Sequence, residues 1–326
     1  MKASPLRIGV LGCAGIAWRR MLPAITANPD VTLTAVASRS ETKARRFTDR
    51  FGGEPVVGYE RLLERADVDA VYVPLPALLH GDWIDRALRA GKHVLSEKPL
   101  AATLKQATAL VDLARERGLV LLESFMFLTH SQHTRVRELI ADGVIGELRS
   151  LTAEFAFPQK SADDIRYLPD VGGGALTDIG VYPVRTALLY LGSQLDVLGA
   201  SLHYDEALGV DLGGAALIGR ADGVTAHLTW GMEHSYRSRY ALWGSSGHIS
   251  AHWAYTPPPT HSPVLRIERQ DRVEELTLPA EDQFGNVVAA FVARVVDGVP
   301  SSLEGESVLT QAALVDRVRE RALVRP

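Results

Sequence analysis

Two short segments carry side chains of the types and spacing needed to handle a proton at a carbonyl or alcohol oxygen. The first is Ser96-Glu97-Lys98-Pro99, directly after the apolar run His93–Leu95. If that run is a strand of a parallel sheet, Lys98 stands at the carboxyl edge, where open α/β sheets bind ligands. An ammonium there can reach a substrate oxygen and act as its general acid. Pro99 restricts the backbone of Lys98 to extended geometry. The tripeptide alone does not separate this reading from a solvated turn lysine.

The second segment is Gly172-Gly173-Gly174-Ala175-Leu176-Thr177-Asp178-Ile179-Gly180-Val181-Tyr182-Pro183. Three glycines allow a backbone to pass close to a ligand. Asp178 and Tyr182 are four residues apart, so a helix starting near Ile179 puts both on one side, with Asp178 as its cap. A tyrosine hydroxyl is protonated at neutral pH and can donate to a developing alkoxide. A capping aspartate beside a core tyrosine explains the same residues without chemistry.

A third feature speaks for a cofactor. Ile8-Gly9-Val10-Leu11-Gly12-Cys13-Ala14-Gly15-Ile16-Ala17 reads as strand, tight turn and helix start. Gly12 permits the turn, Ala14 is small enough for a pyrophosphate to approach, and Ala17 allows close helix–strand packing. About 20 residues further on, the strand Thr32–Ala37 ends in Ser38-Arg39, where an NAD site carries an acid. Arg39 can pair with a 2′-phosphate while Ser38 donates a hydrogen bond, which favours NADP. A plain surface arginine is the alternative for Arg39. Cys13 has no neighbouring base and reads as a packing residue.

The elements that must position these residues follow from the pattern. In the first ~125 residues short apolar strands (Arg7–Leu11, Thr32–Ala37, Ala70–Val73, His93–Ser96, Val120–Glu123) alternate with amphipathic helices, which implies right-handed crossovers and a doubly wound parallel sheet. Gly91 and Gly118 sit where helix C-caps belong. Further on, Leu151, Ala153, Phe155 and Phe157 alternate, as do Val224, Ala226, Leu228 and Trp230. That period of two marks half-buried strands of an open sheet with one wet face. One helix near Ile179–Leu191 interrupts the strands, and two more, near Asn286–Val296 and Glu306–Arg321, close the chain. The expected architecture is α/β: a Rossmann domain over residues 1–124, then an α+β domain over 125–326 with a large, mostly antiparallel open sheet. The second domain would bind substrate and join copies of the chain, its last helix packing back on the first.

Composition excludes other classes. A net charge of −4 with mixed signs leaves no basic footprint for nucleic acid. No apolar run reaches the roughly 18 residues that span a bilayer, and no signal-peptide pattern opens the chain. The expectation is a cytoplasmic protein. One cysteine rules out intrachain disulfides and a cysteine-based zinc site, and no metal is expected.

Taken together, the glycine turn, Glu97-Lys98-Pro99 and the Gly-Gly-Gly-Ala…Asp-x-Gly-x-Tyr-Pro segment resemble, in order and spacing, the glucose–fructose oxidoreductase/inositol dehydrogenase family. The resemblance covers nearly the whole chain. Many members carry histidine where this chain has Tyr182. Within the family, Asp69-Ala70-Val71-Tyr72-Val73-Pro74-Leu75-Pro76, Asp164-Ile165-Arg166-Tyr167 and Gly231-Met232-Glu233-His234 look like the NADPH-dependent sugar-nucleotide 3-ketoreductases of deoxysugar biosynthesis. This resemblance implies cofactor contacts from Gly12, Cys13, Ala14, Gly15, Ile16, Ala17, Trp18, Arg19, Ser38, Arg39, Tyr59, Leu75, His80, Glu97, Arg166 and Asp178. It implies substrate contacts from Arg20, Tyr236 and Thr256. It also implies reduction of a C-3 ketone on a dTDP-linked 3,4-diketo-2,6-dideoxyhexose, with Lys98 as proton donor and Tyr182 and Asp178 assisting. An NADP-dependent dehydrogenase of a free sugar or trans-dihydrodiol, and a non-catalytic NADP sensor, stand as alternatives.

Overall fold

The computed structural model describes residues 4–298 and 302–325. The chain divides into two compact units, Met1–Met126 with Phe284–Leu309, and Phe127–Gln283 with Thr310–Pro326.

The first unit holds six strands: β1 (Leu6–Leu11), β2 (Val31–Ser38), β3 (Glu54–Val57), β4 (Ala70–Val73), β5 (His93–Glu97) and β6 (Leu121–Ser124). They pair in parallel in the order β3-β2-β1-β4-β5-β6. The order reverses between β1 and β4, the place where doubly wound sheets open a ligand crevice. All four residues of β4 are buried, as helix-covered parallel strands require. The connecting helices are α1 (Leu22–Ala27), α2 (Glu41–Phe51), α3 (Tyr59–Leu63), α4 (Ala77–Arg89) and α5 (Leu104–Glu116). A π-helical turn at Ala17–Met21 leads into α1. Gly91 (φ 75°) and Gly118 (φ 63°) do follow the ends of α4 and α5 in left-handed geometry. Strand β3 escaped the sequence reading because its four residues show no apolar alternation.

The second unit begins with α6 (Ser131–Ala141) and β7 (Leu148–Ala156), then α7 (Val181–Leu191). Seven strands continue it: β8 (Asp196–Asp205), β9 (Val210–Gly219), β10 (Thr225–Gly231), β11 (Arg237–Gly244), β12 (His248–His252), β13 (Val264–Arg269) and β14 (Arg272–Thr277). After α8 (Gln283–Asp297) and α9 (Ser302–Arg321) comes a short strand, β15 (Ala322–Arg325), for which the sequence reading has no element. The nine strands form one sheet in the order β14-β13-β12-β11-β7-β10-β9-β8-β15. Pairing is antiparallel except for β7 with β10 and β8 with β15. Alternation sorts the faces: Leu151, Ala153, Phe155, Ala226, Leu228 and Trp230 are buried on the side that receives α7. Thr152, His227, Thr229 and Trp243 are exposed.

Candidate active site

In the first unit the glycine turn leaves β1 at Gly12, whose φ of 120° only glycine adopts without strain. A Cβ there would also stand 2.8 Å from Cδ2 of Leu75, so the turn and the end of β4 are packed against each other through this position. The helix that follows starts at Gly15. Its first-turn amides have no carbonyl one turn back to bond, and they form the cradle an anion needs. Ala14 and Cys13 are half-buried, Gly15 is exposed and Ala17 is buried against the sheet. The indole of Trp18 is committed elsewhere. It packs edge-on against Phe47 and Phe51 of α2, under the guanidinium groups of Arg46 and Arg50. Trp18 therefore offers the turn its main chain. Arg19 is exposed and Arg20 half-buried.

At the end of β2, Ser38 is 5% exposed and its hydroxyl accepts the Ser40 amide at 3.2 Å. Arg39 is exposed, with its guanidinium beside the Tyr59 hydroxyl. Burial raises the Tyr59 pKa and Arg39 pulls the other way. Burial likewise pushes the Cys13 thiol up, against a hydrogen bond with Ser38, which keeps it a neutral thiol. No carboxylate stands at Ser38-Arg39 to repel a 2′-phosphate. The residues present fit NADP: small residues and amides for the pyrophosphate, Ser38 and Arg39 for the extra phosphate.

Lys98 follows β5 in a turn fastened on every side. Tyr72 of β4 donates to Oε1 of Glu97 at 2.7 Å within the core. Burial, helped by Glu97, keeps the Tyr72 phenol protonated by pushing its pKa well up. The amide of Leu100 donates to Oε1 of Glu123 at 2.7 Å. His80 of α4 is 1% exposed, and its two ring nitrogens lie 2.7 Å from the carbonyl oxygens of Pro99 and Leu75. Burial lowers the His80 pKa against the pull of those two carbonyls. His80 and Glu97 thus tie the Lys98 turn to the loops around it, and the Lys98–Pro99 bond is cis. Tyr72 and Glu123 were missed from the sequence, since nothing in a local motif links residues 25 and 23 positions apart.

In the second unit the glycine run does something other than approach a ligand. A Cβ on Gly173 would lie 2.5 Å from the Arg166 carbonyl oxygen and 2.8 Å from that of Leu168. The amides of Gly173 and Gly174 bond those same carbonyls, at 3.0 and 2.9 Å. The run is thin so that it can lie on the 166–168 segment. The helix beyond it begins at Ala175, earlier than expected, and its first turn, Leu176–Gly180, is π-helical. Asp178 lies inside this turn and is not its cap, which corrects the reading from sequence. The cap is Asp211 of β9, whose Oδ2 accepts the Leu176 amide at 2.7 Å. Burial raises the Asp211 pKa, and that amide bond works against the rise.

Freed from capping, Asp178 turns its Oδ2 to Nε of Arg166 at 2.5 Å, while Nη1 of Arg166 bonds Asp164 at 2.9 Å. Burial alone would lower the Arg166 pKa, but attraction to Asp178 and Asp164 outweighs it and holds the guanidinium firmly charged. Tyr182, four residues on, is 4% exposed among the rings of Phe127, Phe155 and Tyr255. Both π-helical turns in the chain's described residues sit at these glycine segments, where such turns recur in functional sites. On the same unit Tyr236 and Thr256 meet, hydroxyl to hydroxyl, at 3.1 Å.

Family models match both parts of this chain. Residues 6–125 match an oxidoreductase family with an NAD-binding Rossmann fold (GFO_IDH_MocA), and residues 133–250 match the GFO/IDH/MocA C-terminal domain. The chain belongs to the Gfo/Idh/MocA oxidoreductase family. Among Gfo/Idh/MocA proteins it is 56% identical to a dTDP-3,4-didehydro-2,6-dideoxy-alpha-D-glucose 3-reductase of Actinomadura kijaniata, over 98% of this chain and 96% of the relative. A reductase of the same name from Streptomyces violaceoruber is 56% identical over 97% of this chain and 95% of its own. The solved structure of KijD10, a 3-ketoreductase from Actinomadura kijaniata in complex with NADP and TDP-benzene, superposes with a TM-score of 0.97 at 55% identity. It covers 99% of this chain and 100% of its own.

Proposed function

We propose that this protein uses NADPH to reduce the C-3 ketone of a dTDP-linked 3,4-diketo-2,6-dideoxyhexose, a step of deoxysugar assembly for antibiotics. Near-complete alignment at 56% identity with the Actinomadura kijaniata reductase carries this proposal. The residues agree with it. The turn from Gly12 to Arg19, with Ser38, Arg39, Tyr59 and Leu75, holds the cofactor, and Arg166 and Asp178 are its further contacts. When bound, NADPH supplies the hydride.

The chain's own residues supply binding and the proton. Lys98, its turn clamped by Tyr72, His80 and Glu123, gives a proton to the oxygen that was the ketone. Tyr182 orients that oxygen through its hydroxyl, and Asp178, anchored on Arg166, keeps the helix turn beneath Tyr182 in place. Arg20 meets the diphosphate, and Tyr236 and Thr256 meet the nucleotide. The enzyme works in the cytoplasm as a homo-oligomer. No helix among the described residues is long and apolar enough to cross a membrane, and the broad sheet face with Trp243 65% exposed suits a second copy.

The test is incubation with enzymatically generated dTDP-diketosugar and NADPH, followed by identification of the product. Reduction at C-3 is expected. Turnover of a free sugar or dihydrodiol in its place would overturn the nucleotide-linked substrate, and no NADPH consumption with any of them would overturn catalysis.

A further inference from the structure

Trp253 is the one non-glycine residue with positive φ (53°) among the described residues. Bulky side chains rarely adopt that backbone, and where they do the surroundings must hold them there. The surroundings here are explicit. Next to it, the Ala254 amide bonds the Ser238 carbonyl at 3.1 Å, and the Tyr255 amide bonds the Ser238 hydroxyl at 3.0 Å. The Ala254 carbonyl accepts from buried His133 at 3.0 Å, and the Tyr255 carbonyl accepts from buried Gln283 at 3.1 Å. Ala254 and Tyr255 are fully buried, yet the indole beside them is turned outward and 41% exposed.

Outside, the indole joins an aromatic surface. Its ring lies 5.0 Å from that of Tyr236, at 40°, and 5.6 Å from that of His261, at 43°. Tyr236 is itself 41% exposed, and its hydroxyl meets that of Thr256. A core seeking stability would turn the indole inward or place glycine at this position. Arg237, the next residue after Tyr236, is engaged by Glu154 at 3.2 Å. The cluster therefore presents π-faces edged by hydroxyls rather than charge. That chemistry suits a neutral, flat heterocycle better than a phosphate.

We propose that Trp253, with Tyr236, is the platform on which the pyrimidine base of the nucleotide-linked substrate stacks, making Trp253 a determinant of nucleotide recognition. The Tyr236–Thr256 hydroxyl pair lies at the edge of that platform, where the base's carbonyl and imide groups can bond it. This rests on the nucleotide-sugar substrate proposed above.

The experiment titrates the full-length, NADP-loaded protein with dTDP and, separately, with inorganic pyrophosphate, by calorimetry. Trp253→Ala and Trp253→Gly are expected to weaken dTDP binding about tenfold or more, the usual worth of a lost base stack. Trp253→Phe should stay within about threefold, and pyrophosphate should bind all variants alike. Trp253→Gly should also melt no lower than the parent, because glycine accepts φ 53° without strain. A glycine variant that folds and binds dTDP as tightly as the parent would overturn the stacking role and leave the substrate proposal intact. A parent protein that binds NADP but not dTDP would overturn the substrate proposal and the stack with it.

Discussion

Arg166 and Asp178 are joined Nε to Oδ2 at 2.5 Å, across a glycine run in which Gly173 has no room for one more carbon. The pair links a 3₁₀ turn to the π-helical turn that precedes Tyr182. Asp178→Asn keeps the shape and removes the charge. It should cost only ~1 kcal/mol of stability, because both side chains are partly solvated and Arg166 retains Asp164. It should nonetheless lower kcat at least about tenfold by loosening the turn beneath Tyr182. Thermal melts and steady-state kinetics check both halves, and a variant with full kcat would remove Asp178 from the mechanism.

Lys98→Ala should cut kcat by about 10²–10⁴, the usual worth of a positioned general acid. NADPH affinity, read by fluorescence titration, should move only a few-fold, since the glycine turn and Ser38-Arg39 carry the binding. Equal losses in affinity and kcat would instead make Lys98 a cofactor ligand.

Cofactor preference should reside at the end of β2. Arg39→Ala with Ser38→Asp removes a cation and places an acid where a 2′-phosphate would lie. The ratio of kcat/KM for NADPH over NADH should then fall about 10–100-fold, the energy of one or two charge-assisted hydrogen bonds. An unchanged ratio would show that the 2′-phosphate is read elsewhere.

Gly173→Ala should be far more damaging than its size suggests. The new methyl would meet two main-chain carbonyls, at 2.5 and 2.8 Å, and backbone cannot rotate aside as a side chain can. A loss of about 1–3 kcal/mol is expected, with weakened cofactor binding as Arg166 is displaced. Denaturant melts and NADPH titration test this. A variant as stable as the parent would mean the segment has room it does not show.

Acid should destabilise the second unit through His133. Its imidazole is buried between the Tyr240 hydroxyl and the Ala254 carbonyl, at 2.9 and 3.0 Å, and burial pulls its pKa from 6.5 to about 3. The unfolded chain therefore takes up this proton first. Stability should be complete above pH 6.5 and fall by up to ~1.4 kcal/mol per pH unit as the pH drops from there toward 3. His133→Gln should flatten that slope in chemical denaturation measured across pH, without abolishing it, because burial also lowers the pKa of His130 in the same unit. A slope unchanged by the substitution would place the acid sensitivity elsewhere.

Much of this protein was legible in its residues. Alternation of apolar strands with amphipathic helices specified the parallel sheet, because a strand covered on both faces and a helix covered on one have different periods. The glycine turn, Ser38-Arg39, Lys98 and the Asp178–Tyr182 segment were all visible, since each is a local pattern whose chemistry depends on neighbours in sequence. Strands β3, β12 and β14 were not read, nor was β15. They are short or weakly alternating, and the ladder beside them, not their own composition, makes them strands.

What the tertiary structure alone decided is what each visible residue is attached to. Asp178 looked like a cap and proved to be the partner of Arg166, because Asp211, a strand away, had taken the cap. The glycines proved to be thin for the sake of other backbone. Lys98 proved to be steadied by Tyr72, His80 and Glu123, and Trp253, unremarked in the sequence, proved to be held in a costly conformation by a buried network. Each of these depends on residues distant in the chain, and only folding brings them within hydrogen-bonding range.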